Sequence, residues 1–340
     1  MTSPPPVKPP LSIPPRRVAA LQTIALAAIG ITILLLLISA RTAANGADTA
    51  IPVARQSLAG KRIFPPSDPW NQDISKEPVD PDSAALIASI GAKRGLHPDF
   101  GTIYNGAPSG IPYVVVSGGQ SKVPVTFDYK DESDPGPYPI PPDAPIEGGP
   151  QSTGDRHVLV IDWDHWMLYE LWSATPVDHG VAWKAGSGAI FDLKTGTTRP
   201  AGWTSADAAG LPVLPGLVRY DQVVEQGSIP HALRFTVVHS RHAYVAPARH
   251  FASRSNDPHL PPMGMRVRLR ADFDISPFPP TARVILIALK KYGMIVADNG
   301  SNWFISGAPD PRWNDDELAT LKRVRGSNFE VVKMGQVVTK

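Results

Sequence analysis

The apolar and polar positions divide the chain near its fortieth residue. Val18 to Ala40, VAALQTIALAAIGITILLLLISA, carries no charged side chain. As a helix rising 1.5 Å per residue it would run about 34 Å, enough for a hydrocarbon layer of roughly 30 Å. A cleaved leader is the rival reading, with Thr42-Ala43-Ala44 as its small-residue site. Such leaders have apolar stretches of only about 7–15 residues, so the pattern predicts an uncleaved transmembrane anchor over 18–40. Lys8, Arg16 and Arg17 precede the span and only Arg41 follows closely. That asymmetry predicts a single pass through a bacterial inner membrane, with the arm 1–17 cytoplasmic and the rest of the chain outside. The arm is Pro-rich and reads as disordered. Residues 41–62 read as a linker, and 63–340 as one extracytoplasmic domain.

Within that domain the periods are mostly those of strands. YVVV and VPVTF are β-branched runs bounded by Gly and Pro. His157–Asp162 and Met167–Trp172 read as a hairpin about Trp163–Trp166, pairing Asp162 with Met167 and Glu170 with Leu159. Further strands are expected around Ala189–Leu193, in MRVRLRADFDIS and in FEVVK. MIVADNGSNWFIS reads as a hairpin about Asp298-Asn299-Gly300. Three helices are expected: one capped by Asp80 and stopped by Gly91, one opened near Pro280 and stopped by Gly293, and one in NDDELATLKRVRG. Lys130–Asp155 reads as a long loop within the domain. The segment TTRPAGWTSADAAGLPVLPGLVRYDQ is too apolar for disorder and reads as an ordered, site-forming loop. The sum is a mainly β domain with about three peripheral helices, a sandwich or a barrel.

Composition narrows the chemistry. Zero cysteines exclude disulfides and thiolate chemistry. A net charge of +2 with both signs interspersed leaves no footprint for nucleic acid. No HExxH, GxSxG, GxGxxG or GxxxxGK[ST] motif occurs, so no zinc helix, nucleotide or cofactor is expected. Asp162-Trp163-Asp164 lacks the Gly and closing Glu of a calcium loop.

Four of the nine histidines, His231, His239, His242 and His250, fall between Ile229 and Ser253. In one extended strand His231 and His239 would be about 27 Å apart, too far to share a metal. A hairpin turned at Ser240-Arg241 would instead oppose His239 with His242 and His231 with His250. The tip pair then reads as turn polarity. The far pair is either a site pair or a hydrogen-bonded structural one. Glu170 would face the same way as Ile161 and Leu168, where an unpaired carboxyl is held protonated and suits a general acid. Its plain alternative is an ion pair with Lys184 or Arg268. Asp192, Asp207 and Asp298 stand at strand ends or in loops, where carboxylates either work or cap. Eight tryptophans, Trp203 among them, offer flat faces for sugars or fill the core.

FPPSDPWNQDIS, GSGAIFDL, RPAGWTSADAAGLP, HALRFTV, ARHFAS, PPMGMRVRL and YGMIVADNGSNWFISGAPDPRW together resemble an uncharacterised family of exported bacterial proteins, over about 64–332. That family brings no activity. Pro262-Met263-Gly264-Met265-Arg266-Val267 and Asp298-Asn299-Gly300-Ser301 also resemble two motifs of double-psi β-barrel peptidoglycan lytic enzymes, with Met265 in place of a Thr and Ser301 in place of a Gly. The resemblance implies a double-psi-like barrel and makes Asp298 the acid/base on a glycosidic bond. The plain alternative for Asp298 is the first residue of a hairpin turn.

The expectation is therefore a membrane-anchored protein acting on envelope or environmental polysaccharide as a hydrolase or lyase. Asp298, Glu170, His231 and His250 are its acid/base and orienting candidates, and Trp203, Asp207, Asp192 and Arg249 its substrate contacts. The alternative is a non-catalytic protein that binds glycan or a protein partner.

Overall fold

The computed structural model describes residues 57–196 and 198–339. The arm, the expected membrane span and residues 41–56 of the linker lie outside the described residues. In chain order, the strands of the two principal sheets begin with β1 (His97–Asp99), β2 (Tyr113–Val116), β3 (Val158–Asp162), β4 (Met167–Trp172) and β5 (Ser187–Asp192). They continue with β6 (Leu233–Val237), β7 (Arg266–Leu269), β8 (Met294–Asn299), β9 (Phe304–Ser306) and β10 (Phe329–Val331). The α-helices among the described residues are α1 (Ser83–Ile90), α2 (Pro280–Lys291) and α3 (Asp315–Ala319). The domain is mainly β with a few short helices.

The β3–β4 hairpin forms in the expected register, Asp162 opposite Met167 and Leu159 opposite Glu170. It is the centre of a sheet ordered β5-β4-β3-β2. Every residue of β3 is buried, because the sheet is covered on both faces. Leu159, Ile161 and Leu168 join the main core, while Val158, Val160 and Tyr169 pack with Tyr138, Ile140 and Trp183 on the other side. The long loop over 130–155 supplies part of that second cover.

The second sheet is ordered β1-β9-β6-β8-β7-β10. Two expected hairpins do not form there. The strand begun at Leu233 does not turn back at Ser240-Arg241. It runs through the middle of the sheet instead, parallel to β8 and antiparallel to β9. Leu233, Phe235 and Val237 are all 0 % exposed. A strand this apolar gains more from two long-range neighbours than from one local partner that carries Pro247 and a Ser-Arg turn. Tyr244–Val245 pairs with Val337–Val338.

Asp298-Asn299-Gly300 is likewise no hairpin turn, since β6 lies between β8 and β9. The connection crosses the end of β6. Gly300 N–H donates to Val237 O at 2.8 Å, Val238 N–H to Asn302 Oδ1 at 2.6 Å, and the Thr236 hydroxyl to Ser301 O at 2.6 Å. Trp303, left-handed at φ 64° and fully buried, then stacks against Phe235 and Phe329 and donates from Nε1 to Gly91 O.

The helices follow their signals with one shift. Gly91 stops α1 in the left-handed region, with its N–H on Ile87 O and Ala88 O. Asp80, expected as N-cap, stands two residues too early. Its carboxylate takes Asp82 N–H and Met334 N–H instead, tying the helix start to the C-terminal segment. Asn314 caps α3 by accepting Glu317 N–H. Gly264, at φ 81°, leads into β7, where a Cβ would stand 2.0 Å from Val245 O. Only glycine fits that approach.

Candidate functional site

The site begins with a break in strand register. Along β6 and β8, Phe235 pairs with Val296 but Thr236 pairs with Asp298, so Ala297 is an extra residue in β8. Paired residues of parallel strands share a face. Without the bulge Asp298 would point with Val237 into the core. With it, Asp298 turns to the face of Thr236 and Arg234. Bulges commonly re-aim side chains next to active sites. The displaced Ala297 carbonyl accepts Ala209 N–H at 2.9 Å, which docks the segment 205–214 beside Asp298.

That segment is held at nearly every residue. Arg234, buried on β6, grips Asp207 through two bonds, Nε to Oδ2 at 3.0 Å and Nη2 to Oδ1 at 2.9 Å, and reaches Ser306 Oγ through Nη1. Ser205 Oγ accepts Asp207 N–H at 2.9 Å. His157 Nε2 donates to Ala206 O at 2.9 Å, and His250 Nδ1 donates to Ala208 O at 2.8 Å. Arg249 N–H and His250 N–H converge on Ala209 O. Glu170 closes the set. Its carboxylate accepts Val213 N–H at 2.9 and 3.0 Å and Leu214 N–H at 2.9 Å. The ion pair with Lys184 or Arg268 does not form: Arg268 bonds Glu330, and Lys184 stands exposed on another sheet.

The charges sort themselves by environment. Burial pushes the Asp298 carboxyl up, the neighbouring Asp207 charge and hydrogen bond add to this, and Arg234 opposes; the result is about 8. Asp298 therefore carries its proton at neutral pH, beside the Asp207 side chain that Arg234 grips at both oxygens. Burial also lifts Glu170 to about 7, against the pull of the Leu214 and Val213 N–H groups. For His157, burial disfavours the cation but the Glu147 carboxylate, 2.6 Å from Nδ1, overrides it and holds the ring at about 9. Burial raises Glu147, and the His157 cation more than compensates, leaving it below its ordinary value. Both partners of His157 are oxygens that only accept, so the ring donates at both nitrogens and is an imidazolium.

His231 has the opposite state. Its Nδ1 lies 2.8 Å from Ala232 O and its Nε2 3.0 Å from the Gln222 amide. Burial and then the Arg219 charge drive it down to about 3. A neutral ring that donates from Nδ1 to Ala232 O accepts at Nε2, so the Gln222 amide, which stands with Oε1 at Nε2, must be turned over to offer its NH2 group. With both nitrogens occupied in the core, His231 is a structural residue. The expected hairpin pairing of His231 with His250 is absent, because the hairpin itself is absent. His242 donates from Nδ1 to Ser253 O and lies against Phe251.

Of the sequence candidates, Asp298, Asp207 and Glu170 converge on one loop, and His250 with Arg249 borders it. His250 Nε2 lies 4.0 Å from the Glu132 carboxylate. Trp203, half-buried, lies beneath the Arg199 guanidinium at 5.4 Å, and Arg249 Nε donates to Arg199 O. Asp192 accepts Lys194 N–H at 2.8 Å and serves its own turn. Sequence reasoning missed Arg234, His157 and Glu147. An arginine inside the apolar run HALRFTVV was the available signal for Arg234; Glu147 and His157 had none, since a loop residue meets a strand end. Among the described residues no group of three or more His, Asp or Glu side chains could hold a metal.

Set against family models, curated proteins and solved structures, the chain matches none.

Proposed function

We propose that the chain is a glycan-cleaving enzyme, a hydrolase or lyase, with Asp298 as its general acid. One observation carries this reading: the Ala297 bulge turns the half-buried Asp298 carboxyl to the face where Arg234 grips Asp207, and burial with the Asp207 charge pushes Asp298 up to about 8. Pairs of carboxyl groups whose surroundings separate their proton affinities are the usual basis of acid/base assignment. Asp298 gives its proton to the glycosidic oxygen as the bond to the anomeric carbon breaks. In hydrolysis the resulting carboxylate takes a proton from the attacking water. Asp207, buried and fixed by Arg234, acts on Asp298 rather than on substrate: its charge and hydrogen bond hold the Asp298 proton in place. His250, which borders the same loop with Nε2 toward Glu132, is the second acid/base candidate. Trp203 and Arg249 would contact sugar beyond it.

The resemblance of Pro262–Val267 and Asp298–Ser301 to double-psi barrel lytic enzymes supports the same role for Asp298, and the mixed sheet with its crossing connection suits a barrel of that kind. On the charge asymmetry about Val18–Ala40, the enzyme is anchored in the inner membrane and acts on envelope or environmental polysaccharide. The test is release of reducing or unsaturated ends by the full-length chain across a panel of glycans, against Asp298→Asn. Release that the variant loses supports the reading. Saturable glycan binding with no release, or a variant equal to the parent, overturns it in favour of a binding protein.

A further inference from the structure

Strand register sets three side chains in one row with Asp298. Thr236 on β6 pairs with Asp298 on β8 and with Phe304 on β9, and Phe304 pairs with His97 on β1. Paired residues share a face, so Asp298, Thr236, Phe304 and His97 stand side by side across four neighbouring strands. Each of them is half-buried. On the opposite face Phe235, Val237 and Ile305 are fully buried. The row is therefore open where the rest of the sheet is packed.

The rings at its far end decide which surface Phe304 presents. His97 stacks on Phe304 with centroids 3.9 Å apart and planes 14° from parallel. His97 stands on the strand beyond, so it covers the ring face turned away from β6. The other face looks across Thr236 toward the Asp298 carboxyl. Strands lie about 4.8 Å apart, so two steps put roughly 9.6 Å between the Phe304 and Asp298 backbones. Thr236 between them is short, and its hydroxyl is turned to Ser301 O at 2.6 Å. Gly300 adds no bulk on that side, where a Cβ would stand 3.0 Å from Thr236 Oγ1. These residues form a slot with an aromatic wall, a carboxyl wall and a small floor.

We infer that this slot seats the sugar ring next to the bond being cut, with the ring's C–H face on Phe304 and its glycosidic oxygen toward Asp298. The inference rests on the glycan-cleaving reading. The span suits a single ring: a packing contact of about 4 Å on Phe304 and a hydrogen bond of about 2.7 Å to Asp298 both fit within it. A flat aromatic wall holds an apolar ring face at little cost in rotamer freedom. Fixing the ring beside the acid orients the bond for proton transfer. His97 acts through Phe304, by backing its ring.

Binding of chitohexaose, cellohexaose and solubilised peptidoglycan strands is measured by calorimetry on the full-length chain carrying Asp298→Asn. At least one is expected to bind. Phe304→Leu keeps an apolar side chain of similar size without the flat face, and should raise Kd at least fivefold with an unchanged thermal midpoint. Phe304→Tyr should restore Kd to within twofold. Thr236→Leu, which fills the floor and leaves the rings alone, should also raise Kd at least fivefold. Parental binding by Phe304→Leu or by Thr236→Leu, or binding of none of the three glycans, overturns the inference. If binding depends on Phe304 but the unaltered chain cleaves no glycan, the Asp298 reading fails and the slot stands. If cleavage needs Asp298 but keeps its KM and kcat in Phe304→Leu, the slot fails and the Asp298 reading stands.

Discussion

Arg234 holds Asp207 by a two-pronged bond at 2.9 and 3.0 Å, with both side chains fully buried. The pair joins the central strand of one sheet to a loop that has no regular structure of its own. Parallel N–H···O bonds of this kind fix orientation as well as position. Removing one partner strands the other charge in the interior. Asp207→Ala is expected to destabilise the domain by about 3–5 kcal/mol, read as a lower urea midpoint.

On the glycan-cleaving proposal, Asp298→Asn should act on both catalysis and stability. Loss of a general acid typically costs about 10²–10⁴-fold in rate. The folded protein holds the Asp298 proton up to about 8, well above the ordinary 3.8. The stability linked to that proton is complete below pH 3.8 and is lost as pH rises through 8. Asp298→Asn should therefore flatten the fall in stability between pH 4 and 8, measured by denaturant titration at a series of pH values. On the same proposal, glycan cleavage by the unaltered chain should fall as pH rises through about 8.

Glu170 is a strut rather than an acid in contact with substrate. Glu170→Ala leaves Val213 and Leu214 N–H without their acceptor in the core. Each buried orphan costs about 1–3 kcal/mol, so the expected total for the two is about 2–6 kcal/mol. Hydrogen exchange at Val213 and Leu214 should accelerate in the variant; unchanged protection there would contradict the assignment.

His157 and His231 are expected to titrate in opposite directions. His157 is raised to about 9, so its contribution is complete below pH 6.5 and is lost as pH climbs through 9. His231 is lowered to about 3, so its contribution is complete above pH 6.5 and is lost as pH falls toward 3. Nitrogen NMR of the two rings at pH 7.5 should show both nitrogens protonated in His157 and one in His231. Two rings in the same state would refute the contrast.

What was readable in the chain depended on distance along it. The β3–β4 register was legible because a four-residue connection fixes which residues face each other. Asp298, Asp207 and Glu170 were legible as chemistry-bearing positions, but their meeting was not. It depends on the Ala297 bulge, on a loop about ninety residues earlier in the chain, and on a β4 carboxylate that binds backbone rather than a base. The histidine cluster is misleading because neighbours in sequence there are not neighbours in space: His231 lies in the core and His250 borders the 205–214 loop.

The sequence by itself determined the local features: a long uncharged run before the domain, alternating strands, a tight β3–β4 hairpin, and helices stopped at Gly91 and Gly293. Each depends on steric and burial preferences acting over a few residues. Tertiary structure alone decided that β6 would lie between β8 and β9, that His231 would be neutral and His157 charged, and that Asp298 would face Arg234. Strand order and proton affinity are set by groups far apart in the chain, because burial and charge act through space and carry no trace of sequence separation.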